Sequence, residues 1–137
     1  MTHFKVTISG GDNPIELGAQ VKKVETFMDT INNDTQSKSG GMLAKLEISG
    51  DIRSQDSAIF VELFKWAKDF KDKTQYRKVE VEVGAAEDSI FRRYEYDKMF
   101  VVDYKETYVG EGREHGSFIL NLTQQDDNWG GVESFPQ

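Results

Sequence analysis

Apolar and polar residues alternate in several short runs along the chain, a period of two that is typical of strands with one buried face. The clearest runs cover residues 4–8, 42–48, 79–83 and 118–123. Turn-forming residues separate them, beginning with the stretch Gly10-Gly11-Asp12-Asn13-Pro14. The pattern therefore predicts a mainly β protein.

Two longer segments, residues 15–31 and 90–108, are also extended in character. The end of the first carries apolar groups on both of its alternating sides, so we expect this strand to meet two different partners. In the second, Lys98 and Asp103 interrupt a run rich in Phe, Tyr and Val. One bent strand and two separate strands both fit this second pattern.

A single amphipathic helix is predicted over about residues 56–72. Its apolar stripe follows the i, i+3, i+4 spacing and consists of Ile59, Phe60, Leu63, Phe64, Ala67 and Phe70, with Trp66 on its flank. Ser54 or Asp56 is expected to cap the first turn by accepting hydrogen bonds from its free amides. We expect the helix to cover the core.

The order of strands, one helix and further strands predicts an antiparallel β-barrel or sandwich with the helix packed on its side. No internal repeat and no linker is visible, so residues 1–137 are interpreted as one domain. The turn-rich tail contains Trp129, Val132 and Phe135, which could pack on a neighbour.

Residues 32–41 contain no large apolar side chain and have almost nothing to bury. This stretch is therefore predicted to be an exposed loop or a long hairpin tip.

Composition excludes several classes of function. Cysteine is absent from the 137 residues, which removes disulfides, thiolate nucleophiles and Cys-ligated metal sites. The net charge of −7 argues against sequence-specific nucleic-acid binding. We see neither a secretory signal nor an apolar run near the ~20 residues of a membrane helix, so we expect assembly in the cytoplasm.

Candidate catalytic residues are few. His3 and His115 are the two histidines, and they lack the spacing of a zinc site, so no metal and no cofactor is expected. Ser117 follows a glycine without a nucleophile-elbow motif and is interpreted as a strand-entry residue. Glu95 and Asp97 would share one face of a strand, where a solvated outer face explains them better than acid–base catalysis.

Aromatic residues concentrate in the second long segment. They are Phe91, Tyr94, Tyr96, Phe100, Tyr104 and Tyr108. Strand aromatics usually fill cores and cross-strand pairs, but a small-ligand or carbohydrate-binding β module remains the alternative function.

Several features together resemble the tube proteins of contractile injection systems, the family of the haemolysin-coregulated protein of type VI secretion and of phage tail tube proteins. They are the short first strand, the long second one, the polar loop 32–41, the helix around Leu63-Phe64-Lys65-Trp66-Ala67 and the later strand beginning Arg92-Arg93-Tyr94. The resemblance covers most of the chain.

This resemblance implies a non-enzymatic structural subunit that forms hexameric rings, which stack into a hollow tube. The principal partner is then the chain itself, with sheath, baseplate or cargo proteins as further candidates. Export through the apparatus, or a place in a phage-like particle, is also implied. The loop after the second strand would reach a neighbouring ring, and its matching residues are Asn33, Asp34, Thr35, Gln36, Ser37, Lys38, Ser39, Gly40 and Gly41.

Overall fold

The computed structural model describes residues 2–30, 42–71, 74–111, 115–124 and 132–136, with the backbone alone at positions 29, 30, 42 and 132–136. These ranges contain eight strands, one 3-10 turn (Ser54–Asp56) and one α-helix, α1 (Ser57–Ala67). The strands are β1 (His3–Ser9), β2 (Ile15–Leu17), β3 (Val21–Thr30), β4 (Met42–Ile52), β5 (Arg77–Gly84), β6 (Ile90–Thr107), β7 (Gly116–Gln124) and β8 (Val132–Pro136).

Every described strand pair is antiparallel, and the strand order is β2-β1-β5-β6-β7-β4-β3. β8 pairs with residues 92–96 of β6, on the stretch that β7 does not reach. Part of the predicted tail therefore forms a strand within its own chain. The predicted fold class, an antiparallel sheet with one helix on its side, is confirmed.

The core lies between the inward faces of the curled sheet. Alternate residues of each strand point into it, as the sequence pattern predicts; they include Val6, Ile8, Leu46, Ile48, Val79, Val81, Leu120 and Leu122, each no more than 1% exposed. Helix α1 packs against β2 and β6 and adds Phe60, Leu63 and Trp66 to the core.

The long segment 90–108 is one bent strand, β6. Tyr96 pairs with Val79 and Met99 pairs with Arg77, so two residues of β6 lie opposite one of β5. Lys98, in this bulge, has a φ of 52°, a left-handed conformation that non-glycine residues seldom adopt. The bulge marks where β6 exchanges its partners, from β5 and β8 to β7.

The segment 15–31 was expected to be one strand, and this expectation is wrong. A turn separates β2 from β3, with the Val21 amide donating to the Gly18 carbonyl at 2.9 Å. The Gln20 side chain stabilises this turn because its Oε1 accepts from the Gly18 amide at 2.8 Å. A polar side chain that bonds its own backbone favours a turn over a continuous strand.

The helix is shorter than predicted, because it ends at Ala67 rather than at about residue 72. Phe70 therefore leaves the stripe and is 87% exposed, and Phe64 is 55% exposed. Trp66, expected on the flank, is 1% exposed. Phe60, Leu63 and Trp66 repeat every three residues, so the buried stripe is narrower than the sequence indicated.

The predicted helix cap is also wrong. Asp56 occupies the N-cap position, but its side chain makes no capping hydrogen bond. Its carboxylate instead accepts from Arg53 Nε at 2.7 Å. Within the described residues, α1 lacks the length and apolar character of a membrane-spanning helix.

Candidate functional site: an open edge strand

The described sheet ends in an unusually long open edge. β3 has ten residues and pairs with β4 on one side, and among the described strands nothing pairs with its other side. β2, the opposite end of the strand order, has three residues and packs against α1. An exposed row of unpaired N–H and C=O groups is a template for another chain.

Large apolar side chains lie on this edge strand. Phe27 is 48% exposed and Met28 is 45% exposed, on opposite faces of β3. The Lys45 ammonium lies 5.8 Å from the centre of the Phe27 ring, a cation–π distance. The alternation of apolar groups on both faces, visible in the sequence, is the signal that marks this strand as one with two partners.

Charged residues lie beside the aromatic ones on the outer face. Strand register places Glu25, Glu47, Asn121 and Asp103 in one row across β3, β4, β7 and β6. Lys23 Nζ lies 2.7 Å from Glu25 Oε1, and this hydrogen bond raises the pKa of Lys23. The outer face next to the open edge therefore carries charges of both signs around Phe27.

The loop residues matched to the tube family, Asn33 to Gly41, lie outside the described residues. Thr30 and Met42, which pair with each other, are the described residues on either side. The connection that contains the predicted loop therefore leaves the edge strand β3 at Thr30 and returns beside it, at Met42 of β4.

A Ser–His–Asp relay is not assembled in the described part of the chain. His115 Nε2 lies 3.9 Å from Asp51 Oδ2, which is longer than a hydrogen bond. Ser117 is paired in register with Asp51 and Thr107 as a strand-entry residue. No described hydrogen bond joins a serine hydroxyl to His115, so the geometry of a nucleophile and its base is missing there.

Of the two carboxylates considered from sequence, Glu95 is held in surface ion pairs. Glu95 Oε1 accepts a hydrogen bond from Arg93 at 3.0 Å and lies 3.7 Å from Lys78 Nζ. Asp97 is exposed next to the bulge. Among the described side chains, no group of three or more His, Asp or Glu has the arrangement of a metal site.

Three of the four tyrosines considered for ligand binding face inward, whereas Tyr108 is 63% exposed. Tyr96 is 1% exposed, and Tyr94 is half-buried and stacks on it with ring centres 6.2 Å apart. The half-buried Tyr104 donates a hydrogen bond to Glu106. These three rings therefore pack the core, and they do not form an exposed platform for a sugar.

No protein-family model matches this chain, and no curated protein matches it. Solved structures do. Hcp1 from Salmonella typhimurium is 13% identical with a TM-score of 0.57, and the match covers 96% of this chain and 92% of that one. Hcp1 from Flavobacterium johnsoniae is 15% identical with a TM-score of 0.56 over 98% and 99% of the two chains.

The chain has the Hcp fold. The same fold occurs in the sheath–tube complex of the extracellular contractile injection system PVC, where a chain is 11% identical with a TM-score of 0.55, and the match covers 98% of this chain and 88% of that chain. The resemblance in fold that the sequence suggested is thereby confirmed. At these identities the likeness concerns the fold.

Proposed function

We propose that this chain is a structural, non-enzymatic subunit whose copies form hexameric rings, and that the rings stack into the inner tube of a contractile injection or secretion apparatus. The observation that carries the proposal is the ten-residue open edge of β3 in a chain with the Hcp fold. The PVC chain comes from a sheath–tube complex, which makes a sheath protein the next candidate partner.

The two ends of the described sheet support a head-to-tail contact. β3 is long and exposed, whereas β2 is short and packed on α1, so the two ends are not equivalent. An edge that joins a different surface of the next copy makes a heterologous contact, and such contacts close into rings when the rotation permits. The number six comes from the resemblance to the tube family.

Ring formation is tested by size-exclusion chromatography with multi-angle light scattering over a range of concentrations. The wild-type chain should form a six-copy species. Phe27→Lys should raise the protein concentration at which this species forms by at least about tenfold, because it places a charge on the edge. Ile119→Lys is the matched control, since Ile119 is also exposed on the outer face but lies on the inner strand β7. A wild-type monomer at every concentration, or a dimer, contradicts the proposal.

Ring stacking is assigned to Asn33 to Gly41, as the resemblance implies. Replacement of these nine residues by a glycine–serine linker of equal length should leave rings intact and abolish stacks, because β3 is unchanged. Electron microscopy of both proteins separates the two steps. Stacks that persist with the linker would contradict a role of residues 33–41 in stacking, but they would not contradict ring formation through β3.

A further inference from the structure

Arg77, at the start of β5, is a buried cation whose guanidinium group is held by several neighbouring residues. Its side chain is 8% exposed. The guanidinium carbon lies 5.2 Å from the centre of the Trp66 ring, and a Cβ added to Gly11 would lie 2.5 Å from it. The Trp66 indole is itself fixed, because its Nε1 donates to the Gln75 carbonyl at 2.8 Å. The guanidinium plane is thus held by fixed neighbours.

The two ends of this guanidinium have different partners. Nε donates to the Thr74 carbonyl at 2.8 Å, whereas the terminal nitrogens donate no hydrogen bond to any described residue. The nearest acid is Asp69, whose Oδ2 lies 3.7 Å from Arg77 Nη2. The terminal nitrogens of an arginine usually donate two parallel hydrogen bonds to one carboxylate, an arrangement called the arginine fork. Those of Arg77 are held in position, but no described carboxylate accepts hydrogen bonds from them.

Asp69 does not accept hydrogen bonds from Arg77, because both of its carboxylate oxygens accept hydrogen bonds from other groups. Oδ2 accepts from the Thr74 hydroxyl at 2.6 Å, and Oδ1 accepts from the Lys71 amide at 2.9 Å. Burial works to raise the pKa of Asp69, but these hydrogen bonds and the Arg77 charge outweigh it and lower the pKa overall. Asp69 thus stays ionised while it closes the turn after α1.

Arg77 lines a cavity of about 510 Å³ next to the C-terminal end of α1. Three lysines, Lys65, Lys68 and Lys71, line it as well, against the acids Asp12, Glu62 and Asp69. The lining is therefore net positive in a protein whose net charge is −7. Phe70, 87% exposed, also lines it.

We infer that this cavity is a binding site for a carboxylate on an acidic polypeptide segment, which the Arg77 fork would accept and the three lysines would attract. Inorganic phosphate is the competing ligand, since an arginine fork also accepts a phosphate, and tighter binding of phosphate than of an acidic peptide would contradict the inference. The exposed Phe70 ring offers apolar surface to the methylene groups of a Glu or Asp side chain. The inference does not depend on ring assembly.

The test is an NMR titration of the ¹⁵N-labelled chain with the acetylated, amidated peptide Glu-Glu-Glu-Glu. We expect saturable shifts of the Trp66 indole and Gly11 amide signals, and none with the corresponding tetraglutamine peptide. The rim variant Lys65→Glu/Lys68→Glu/Lys71→Glu should bind at least about tenfold more weakly. Arg77→Lys should also weaken binding, because it keeps the charge and loses the fork.

The matched control is Lys5→Glu/Lys98→Glu/Lys105→Glu, which makes the same change in net charge at three exposed positions on β1 and β6, away from the open edge of β3. It should bind within about twofold of the wild type, since none of its three residues lines the cavity and solvent screens the charges of exposed residues. Absence of saturable shifts up to about 10 mM peptide, or equal weakening in both triple variants, overturns the inference. If Arg77→Lys does not fold, the exposed rim variant still decides the outcome.

Sedimentation of the protein alone identifies the source of the carboxylate once the titration is positive. Self-association that falls in the rim variant and not in the control supports a second copy of this chain as the source. Unchanged self-association supports a different acidic protein.

Discussion

The hydroxyl groups of Tyr96 and Thr26 lie 2.5 Å apart across the core, although two strands separate β6 from β3 in the strand order. Thr26 Oγ1 also donates to the Lys45 carbonyl at 3.3 Å, which leaves it to accept from Tyr96. This contact fixes the edge strand β3 to the centre of the sheet. The curvature that positions the open edge thus depends on one pair of side chains as well as on backbone pairing.

A double-mutant cycle tests this contact. Tyr96→Phe should cost about 1 kcal/mol in the free energy of unfolding, and Thr26→Val about 1–3 kcal/mol because it leaves a buried phenol unpaired. The double variant should cost less than the sum of the two, by about 0.5 kcal/mol or more, since neither polar group remains. Urea denaturation measures all three values, and strictly additive costs would show that the hydroxyls do not interact.

Alkaline pH should weaken the fold through the same residue. Burial raises the pKa of Tyr96 to about 12 from 10.0, against the lowering effect of the hydrogen bond with Thr26. The folded state therefore favours the protonated phenol, and this stabilisation is complete below pH 10 and is lost as the pH rises through about 12. The loss is about 2–3 kcal/mol.

Unfolding of the wild type and of Tyr96→Phe should be followed from pH 9 to 12. The variant lacks this titration, so its stability should fall less steeply with pH. Parallel profiles would mean that Tyr96 ionises equally easily in the folded and unfolded chains.

The bulge residue Lys98 offers a stabilising substitution. A left-handed conformation costs a non-glycine residue about 1–2 kcal/mol. Glycine removes that cost but loses about 0.5–1 kcal/mol through the greater freedom of the unfolded chain. Lys98→Gly should therefore stabilise the protein by about 0.5–1 kcal/mol. A matched Lys105→Gly, in a regular part of β6, should destabilise it, and a lower urea midpoint for Lys98→Gly would contradict the positive φ.

A close backbone approach at Gly50 predicts a damaging substitution. A Cβ at this position would lie 1.9 Å from the Gln20 carbonyl oxygen, which accepts from the Asp51 amide at 2.8 Å. Gly50→Ala must separate the β2–β3 turn from β4, and we expect a loss of more than about 2 kcal/mol. Gly110→Ala is the control, because nothing lies within 4 Å of its added Cβ, and it should shift the melting temperature little.

Much of this fold is predictable from sequence because one face of each strand is buried. Strands such as β1 and β5 follow directly from alternation, since Val6 and Val81 point inward and their neighbours outward. The exact bounds of α1 were less predictable. A periodic stripe does not show where a helix ends, and Phe64 and Phe70 are as apolar as the buried Trp66.

Of the candidate site residues, some could be predicted from the sequence and others could not. Phe27 could be found from sequence, because apolar groups on both sides of one strand indicate two partners. Arg77 could not be found, because its neighbours Trp66 and Gly11 come together only in the tertiary structure. The loop Asn33 to Gly41 remains a prediction that rests on its composition and on the family resemblance.

Negative-stain electron microscopy of the purified full chain tests the central claim, that copies of this protein complete its open edge. Class averages should show rings with six-fold symmetry, and Phe27→Lys should reduce their number while Ile119→Lys does not. Fields of single particles of about 16 kDa at every concentration, confirmed by light scattering, would contradict the account.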